Sequence, residues 1–208
     1  MELVSGVDLH FITSKKFKTN RIKMRFSAPM STDTIAGRVL VASMLETANE
    51  IYPTSQIFRE RLATLYGANF STGLSRRGLI HYVDLNISFV SDAFLSRKNT
   101  LTGEILDFLK DSLLKPLANG GAFNQAVFEI EKKNVLNDLK AEIEDYFYHA
   151  HQELNKLFYT EKEMQTFRLA TPDLVDKETP ESSFAIFQKM LQNDKIDIFF
   201  MGDFNEIE

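Results

Sequence analysis

Histidines and carboxylates are the groups in this chain that could hold a metal or move a proton, and their spacing promises little of either. The four histidines are His10, His81, His149 and His151. His149 and His151 stand two apart in a predicted helix, so they point to different faces and read as solvated surface residues. His10 and His81 fall on predicted strands and could be neighbours. Isolated residues of this kind are more often hydrogen-bonded core or exposed histidines than a metal pair. Glu142, Glu144 and Asp145 cluster near Lys140, a pattern that reads as a solvated charged helix face. The absence of cysteine removes disulfides, thiolate metal sites and a cysteine nucleophile. No G-x-S-x-G marks a nucleophile elbow, and neither glycine-rich phosphate cradle is present. The aromatic groups Tyr146-Phe147-Tyr148 and Phe158-Tyr159 lack a basic groove around them, so they read as core or interface rather than a base-stacking platform.

Composition narrows the partners further. The 208 residues are 44% hydrophobic and 25% charged, with 18 Phe and no Trp, enough for a full core in one domain. A net charge of -5 argues against nucleic acid or an anionic membrane. The basic stretch Lys15-Lys16-Phe17-Lys18 reads as a solvated turn. No segment approaches the roughly 18 apolar residues of a membrane span. Met1 to His10 lacks the basic head and apolar run of a signal peptide, so a cytoplasmic location is expected.

The elements that must position any site follow from periodicity. Residues 7–12 alternate loosely as a strand, Lys15 to Thr19 turns, and residues 21–26 alternate strictly. The two strands are expected to pair as a hairpin. Ser31 to Thr34 supplies N-cap candidates for a largely buried helix over about 33–50, broken by Tyr52-Pro53-Thr54. Thr54 caps a second helix that Gly67 stops. Strands are predicted over 69–76 and 79–90, then helices over 101–114 and 182–192, with a long charged helical stretch, open to an interruption, from Asn124 to about Tyr159 between them. Residues 196–201 form a buried closing strand. Hairpins separated by helices predict an α+β, two-layer fold, a mostly antiparallel sheet with helices packed on one face. No repeat or linker divides the chain, so residues 1–208 read as a single domain.

Several landmarks carry a resemblance across nearly the whole chain. They are Gly6 ahead of Leu9-His10, the Phe17-Lys18-Thr19 turn, Tyr52-Pro53-Thr54, and Leu65-Tyr66-Gly67-Ala68. Lys115-Pro116, Phe128 with Glu131-Lys132-Lys133, and Ile196-Asp197-Ile198 before Gly202-Asp203 complete the series. In this order they resemble the N-terminal domain of insulinase/pitrilysin-type zinc metallopeptidases, most closely the inactive bacterial members. In that family the helix before the Tyr-Pro turn carries H-x-x-E-H, two zinc ligands and a general base, and a later glutamate completes the metal site. Counting back from Tyr52-Pro53, those positions read Val39-Leu40-Val41-Ala42-Ser43. Val39 and Ser43 stand for the ligands and Ala42 for the base. Glu131 matches the first glutamate of the long helix, and Asp138, seven residues on, the third ligand. No histidine lies between His10 and His81, so a slip of one position restores nothing.

The resemblance therefore implies a domain with no catalytic residues, no metal and no cofactor. Val39, Ala42, Ser43, Glu131 and Asp138 would line a vestigial pocket. Such a domain would shape a chamber for a peptide or unfolded polypeptide, or support an active peptidase-family subunit or a homodimer. Two alternatives stand beside it: a non-catalytic contributor to a heteromeric zinc metallopeptidase, and a purely structural assembly domain. Family chains are about twice this length, and this sequence ends at Asn205-Glu206-Ile207-Glu208. It is expected to be the N-terminal half of a longer two-domain chain.

Overall fold

A computed structural model describes residues 1–96 and 100–204; Asn205 to Glu208 and the side chains of Ile143 and Tyr148 lie outside the described set. The strands are β1 (Glu2–Val4), β2 (Val7–Thr13), β3 (Thr19–Pro29), β4 (Asn69–Arg77), β5 (Ile80–Val90), the short pair β6 (Ala118–Asn119) and β7 (Ala122–Phe123), and β8 (Lys195–Gly202). The helices are α1 (Ile35–Thr47), α2 (Ser55–Thr64), α3 (Leu101–Leu114), α4 (Gln125–Glu144), α5 (Tyr146–Phe158), α6 (Lys162–Gln165), α7 (Pro172–Asp176) and α8 (Pro180–Asn193). Six strands form one sheet in the order β1-β2-β8-β3-β5-β4. Every pairing in it is antiparallel except β2 with β8.

Alternation makes the sheet two-faced. Ile22 and Phe26 of β3 and Val83, Leu85 and Ile87 of β5 are buried on one face, under the helices. The opposite face carries polar residues in register. Arg25 donates from Nε and Nη2 to Asp84 at 2.7 and 2.8 Å, Lys23 Nζ stands 2.7 Å from the same carboxylate, and Arg25 lies 4.7 Å above the Tyr82 ring. Burial pushes the Asp84 carboxyl up, but the hydrogen bonds from Arg25 and Lys23 outweigh it and hold it below the usual range.

α1 is apolar nearly all round, and ten of its residues are buried. A helix of that kind belongs in the middle of a layer, and α1 lies on β4 and β5 with α4 and α8 beside it. Among the described residues, no helix is long and apolar enough to cross a membrane.

Two expectations need correction, and a third is sharpened. β2 and β3 are not a hairpin: β8 lies between them, parallel to β2 and antiparallel to β3, with Ile196, Ile198 and Phe200 aligned to Phe26, Met24 and Ile22. A closing strand with apolar residues at this spacing buries more surface between two strands than at an edge. His10 and His81 are not neighbours: two strands separate theirs. His10 also sits on the polar face, 2.7 Å from Asp197, while His81 is buried. The helix from Asn124 is two helices, divided at Asp145, whose Oδ1 accepts the Phe147 N–H at 2.9 Å.

Candidate functional site

A cavity of about 710 Å³ opens where α1, α4, the start of α2 and β4 meet. α1 supplies Val39, Ala42, Ser43 and Glu46, and α4 supplies Glu131, Asn134, Val135 and Asp138. Both sets repeat at i, i+3, i+4 and i+7, the spacing that puts side chains on one helix face. The packing of α1 on α4 turns the two faces towards each other. All five positions singled out in the sequence thus line one cavity.

Their chemistry is that of a hydrogen-bonded wall. Ser43 Oγ donates to Glu131 Oε2 at 3.0 Å, and Val39 and Ala42 are buried among apolar neighbours. Asp138 is exposed at the rim. A catalytic zinc needs three protein donors and an open position. Here the positions to which the resemblance would assign imidazoles hold a valine methyl and a hydroxyl already bonded to Glu131, and among the described residues no group of three or more His, Asp or Glu side chains that could hold a metal comes together. The residues present do not fit a zinc ion. Ser43 has a carboxylate partner but no histidine behind it, so no nucleophile relay is assembled either.

Sequence reasoning missed two residues of this site. Glu46 Oε2 accepts both the Thr72 backbone N–H at 2.8 Å and the Thr72 hydroxyl at 2.6 Å. β4 is the last strand of the sheet, so among the described residues its outer edge has no strand partner. Since the Thr72 N–H points at Glu46, alternation turns the N–H and C=O groups of Phe70, Thr72, Leu74 and Arg76 to that free edge. Thr72 and Leu74 also line the cavity. The signal for Glu46 was present: it lies seven residues beyond Val39, on the same helix face.

One end of the cavity is closed by Leu169, in the segment between α6 and α7. Basic side chains hold α6, that segment and the end of α7 by their carbonyls. Arg76 Nη1 lies 3.1, 3.1 and 2.6 Å from the carbonyl oxygens of Glu163, Met164 and Thr166. His81 Nε2 stands 2.9 Å from the Arg168 carbonyl, and Lys132 Nζ donates to those of Asp176 and Glu178 at 2.7 and 3.0 Å. His81 Nδ1 accepts from Arg38 Nε at 3.0 Å, which assigns its proton to Nε2. Burial, with Arg38 and Arg76 close by, lowers the His81 pKa to about 4 against the bond to Arg168.

No protein-family model matches the chain. It is 23% identical over 198 residues to the probable inactive metalloprotease YmfF of Bacillus subtilis (strain 168), a match covering 95% of this chain and 46% of that protein. The chain is thus similar along nearly its whole length to a probable inactive metalloprotease. A conserved protein from Enterococcus faecalis V583 superposes with a TM-score of 0.93 at 35% identity, over 97% of this chain and 47% of the other. The M16 inactive domain from Pseudomonas fluorescens shares the fold, with a TM-score of 0.76 at 16% identity over 99% and 46%. The chain spans about half the length of the relatives it matches. A non-catalytic, peptidase-like domain is consistent with them.

Proposed function

We infer that this chain is a non-catalytic domain that holds an extended polypeptide along the free edge of β4, within a larger peptidase-like assembly. One observation carries the reading: outward-facing backbone groups of β4 border a cavity lined by Val39 and Ser43, the positions to which the resemblance would assign zinc-binding histidines. Strand addition would supply main-chain hydrogen bonds, and the cavity would take alternate side chains of the added strand. Fluorescein-labelled β-casein, an unfolded polypeptide, is expected to bind with a Kd of about 1–100 μM, the weak range of a modest interface. Protein exchanged through zinc buffer should hold far less than one zinc per chain and leave the casein intact. Casein cleavage stopped by a chelator would overturn the reading.

A role in assembly has an observation of its own. Tyr146, Phe147 and Leu157 on α5 are 88, 89 and 86% exposed, and Leu154 and Phe158 join them. At about 100° per residue these side chains fall within one arc of roughly 120°. Exposed apolar surface of this kind marks an interface, and the relatives' additional length offers a second domain or subunit to meet it. Sedimentation of the purified chain should show self-association that Phe147→Glu with Leu157→Glu abolishes. A wild-type chain that stays monomeric and ignores an M16-type partner subunit would remove this role.

A further inference from the structure

We propose that Glu46 is a built-in latch on the β4 edge, which an incoming strand must displace before it can pair. This regulation rests on the strand-addition reading above.

The Glu46 carboxylate occupies the position an added strand's carbonyl would take. A single oxygen, Oε2, accepts from Thr72 N at 2.8 Å and Thr72 Oγ1 at 2.6 Å. The N–H is one of the outward-facing donors of β4, and in strand addition it would be given to the ligand's backbone. Glu46 therefore competes with peptide for the same donor. Charged acceptors make stronger bonds than neutral carbonyls, so the carboxylate has the advantage until the peptide adds contacts elsewhere in the cavity. The bond also protects the protein itself. An exposed strand edge is a template for unwanted pairing, and the latch satisfies an edge donor at the cavity in the absence of ligand. Glu46 is exposed, and among the described residues no cation is recorded paired with it, so the side chain can swing away without breaking an ion pair.

Because the Thr72 side chain shares the bond, the latch reads the residue type at position 72 as well as the backbone. Glu46→Gln keeps the shape and a neutral acceptor and should weaken the latch. Glu46→Ala removes it.

The test is polarisation of fluorescein-labelled β-casein with the full chain and three variants. Affinity is expected to rise from wild type through Glu46→Gln to Glu46→Ala, by about ten-fold overall, the equivalent of one charge-assisted hydrogen bond. Thr72→Pro added to Glu46→Ala deletes the outward N–H after the latch is gone, at an edge where proline is tolerated, and the double variant should bind more weakly than Glu46→Ala. Hydrogen exchange at the Thr72 amide gives a ligand-free readout: protected in wild type, faster in Glu46→Ala. Casein binding that is equal or weaker in Glu46→Ala overturns the latch while leaving strand addition standing. Equal binding by Glu46→Ala and a folded Glu46→Ala/Thr72→Pro, or binding absent from every variant, overturns strand addition and the latch with it. An unprotected Thr72 amide in wild type overturns the latch regardless of casein.

Discussion

Replacing Arg38 by methionine is expected to lower the unfolding free energy by about 3–5 kcal/mol, the usual loss when one partner of a buried ion pair is removed. Arg38 Nη1 donates to Asp194 Oδ2 at 2.7 Å, with both side chains more than nine-tenths buried. Its Nε bonds His81, and its Nη2 lies 3.3 Å from the Phe26 carbonyl. Burial raises the Asp194 pKa above the usual carboxylate range even with Arg38 in place. Without the guanidinium, Asp194 must be buried unpaired or take up a proton, and His81 Nδ1 loses its donor. One residue thus fastens α1 to β3, to β5 and to the start of β8, directly beneath the cavity wall that begins at Val39. Urea unfolding at pH 7 measures the loss, and a thermal midpoint lower by roughly 10 °C should accompany it. Adding Asp194→Asn should recover part of the loss, since the unpaired charge is then gone. A change below about 1 kcal/mol would show that the buried network contributes little.

Stability should also fall by about 3 kcal/mol as pH drops from 6.5 towards 4, through His81 alone. The arithmetic is a shift of about 2.5 units, from the model-compound 6.5 to about 4, at 1.36 kcal/mol per unit. The sign follows from linkage: in that window the unfolded chain binds the proton and the folded chain does not, so stability rises with pH. The contribution is complete above 6.5 and exhausted below 4. Protonation would set a new N–H at Nδ1 against Arg38 Nε, while Nε2–H would still reach the Arg168 carbonyl. His81→Gln can accept from Arg38 and donate to Arg168 without titrating. The difference between wild type and His81→Gln in urea midpoints at pH 7 and pH 4.5 isolates the effect from that of the carboxylates. Parallel pH profiles for the two proteins would assign the acid sensitivity elsewhere.

Much of the framework was legible because it depends on local pattern. The polar–apolar alternation of residues 21–26 and 82–89 produced β3 and β5, and the apolar run after Ser31 produced a helix buried on every side. The break at Tyr52-Pro53 and the N-cap at Thr54, which accepts the Ile57 N–H at 3.2 Å, appeared where their residue types require them. The short helices α6 and α7 were not legible. They are brief, and their segment is held by side chains from β4, β5 and α4.

The sequence by itself determined the absence of imidazole from α1. With no histidine between His10 and His81, no arrangement of α1 can present one to the cavity. It also determined the two faces of the sheet and the α+β class, since periodicity is a property of neighbours along the chain. Tertiary structure alone decided that β8 enters between β2 and β3, that His10 and His81 lie on opposite faces, and that Ser43 meets Glu131 across 88 residues. It also decided that Glu46 closes on Thr72. Each of these joins elements far apart in sequence. Their free energy comes from burying one element against another, and local pattern specifies which face is buried but not which partner buries it.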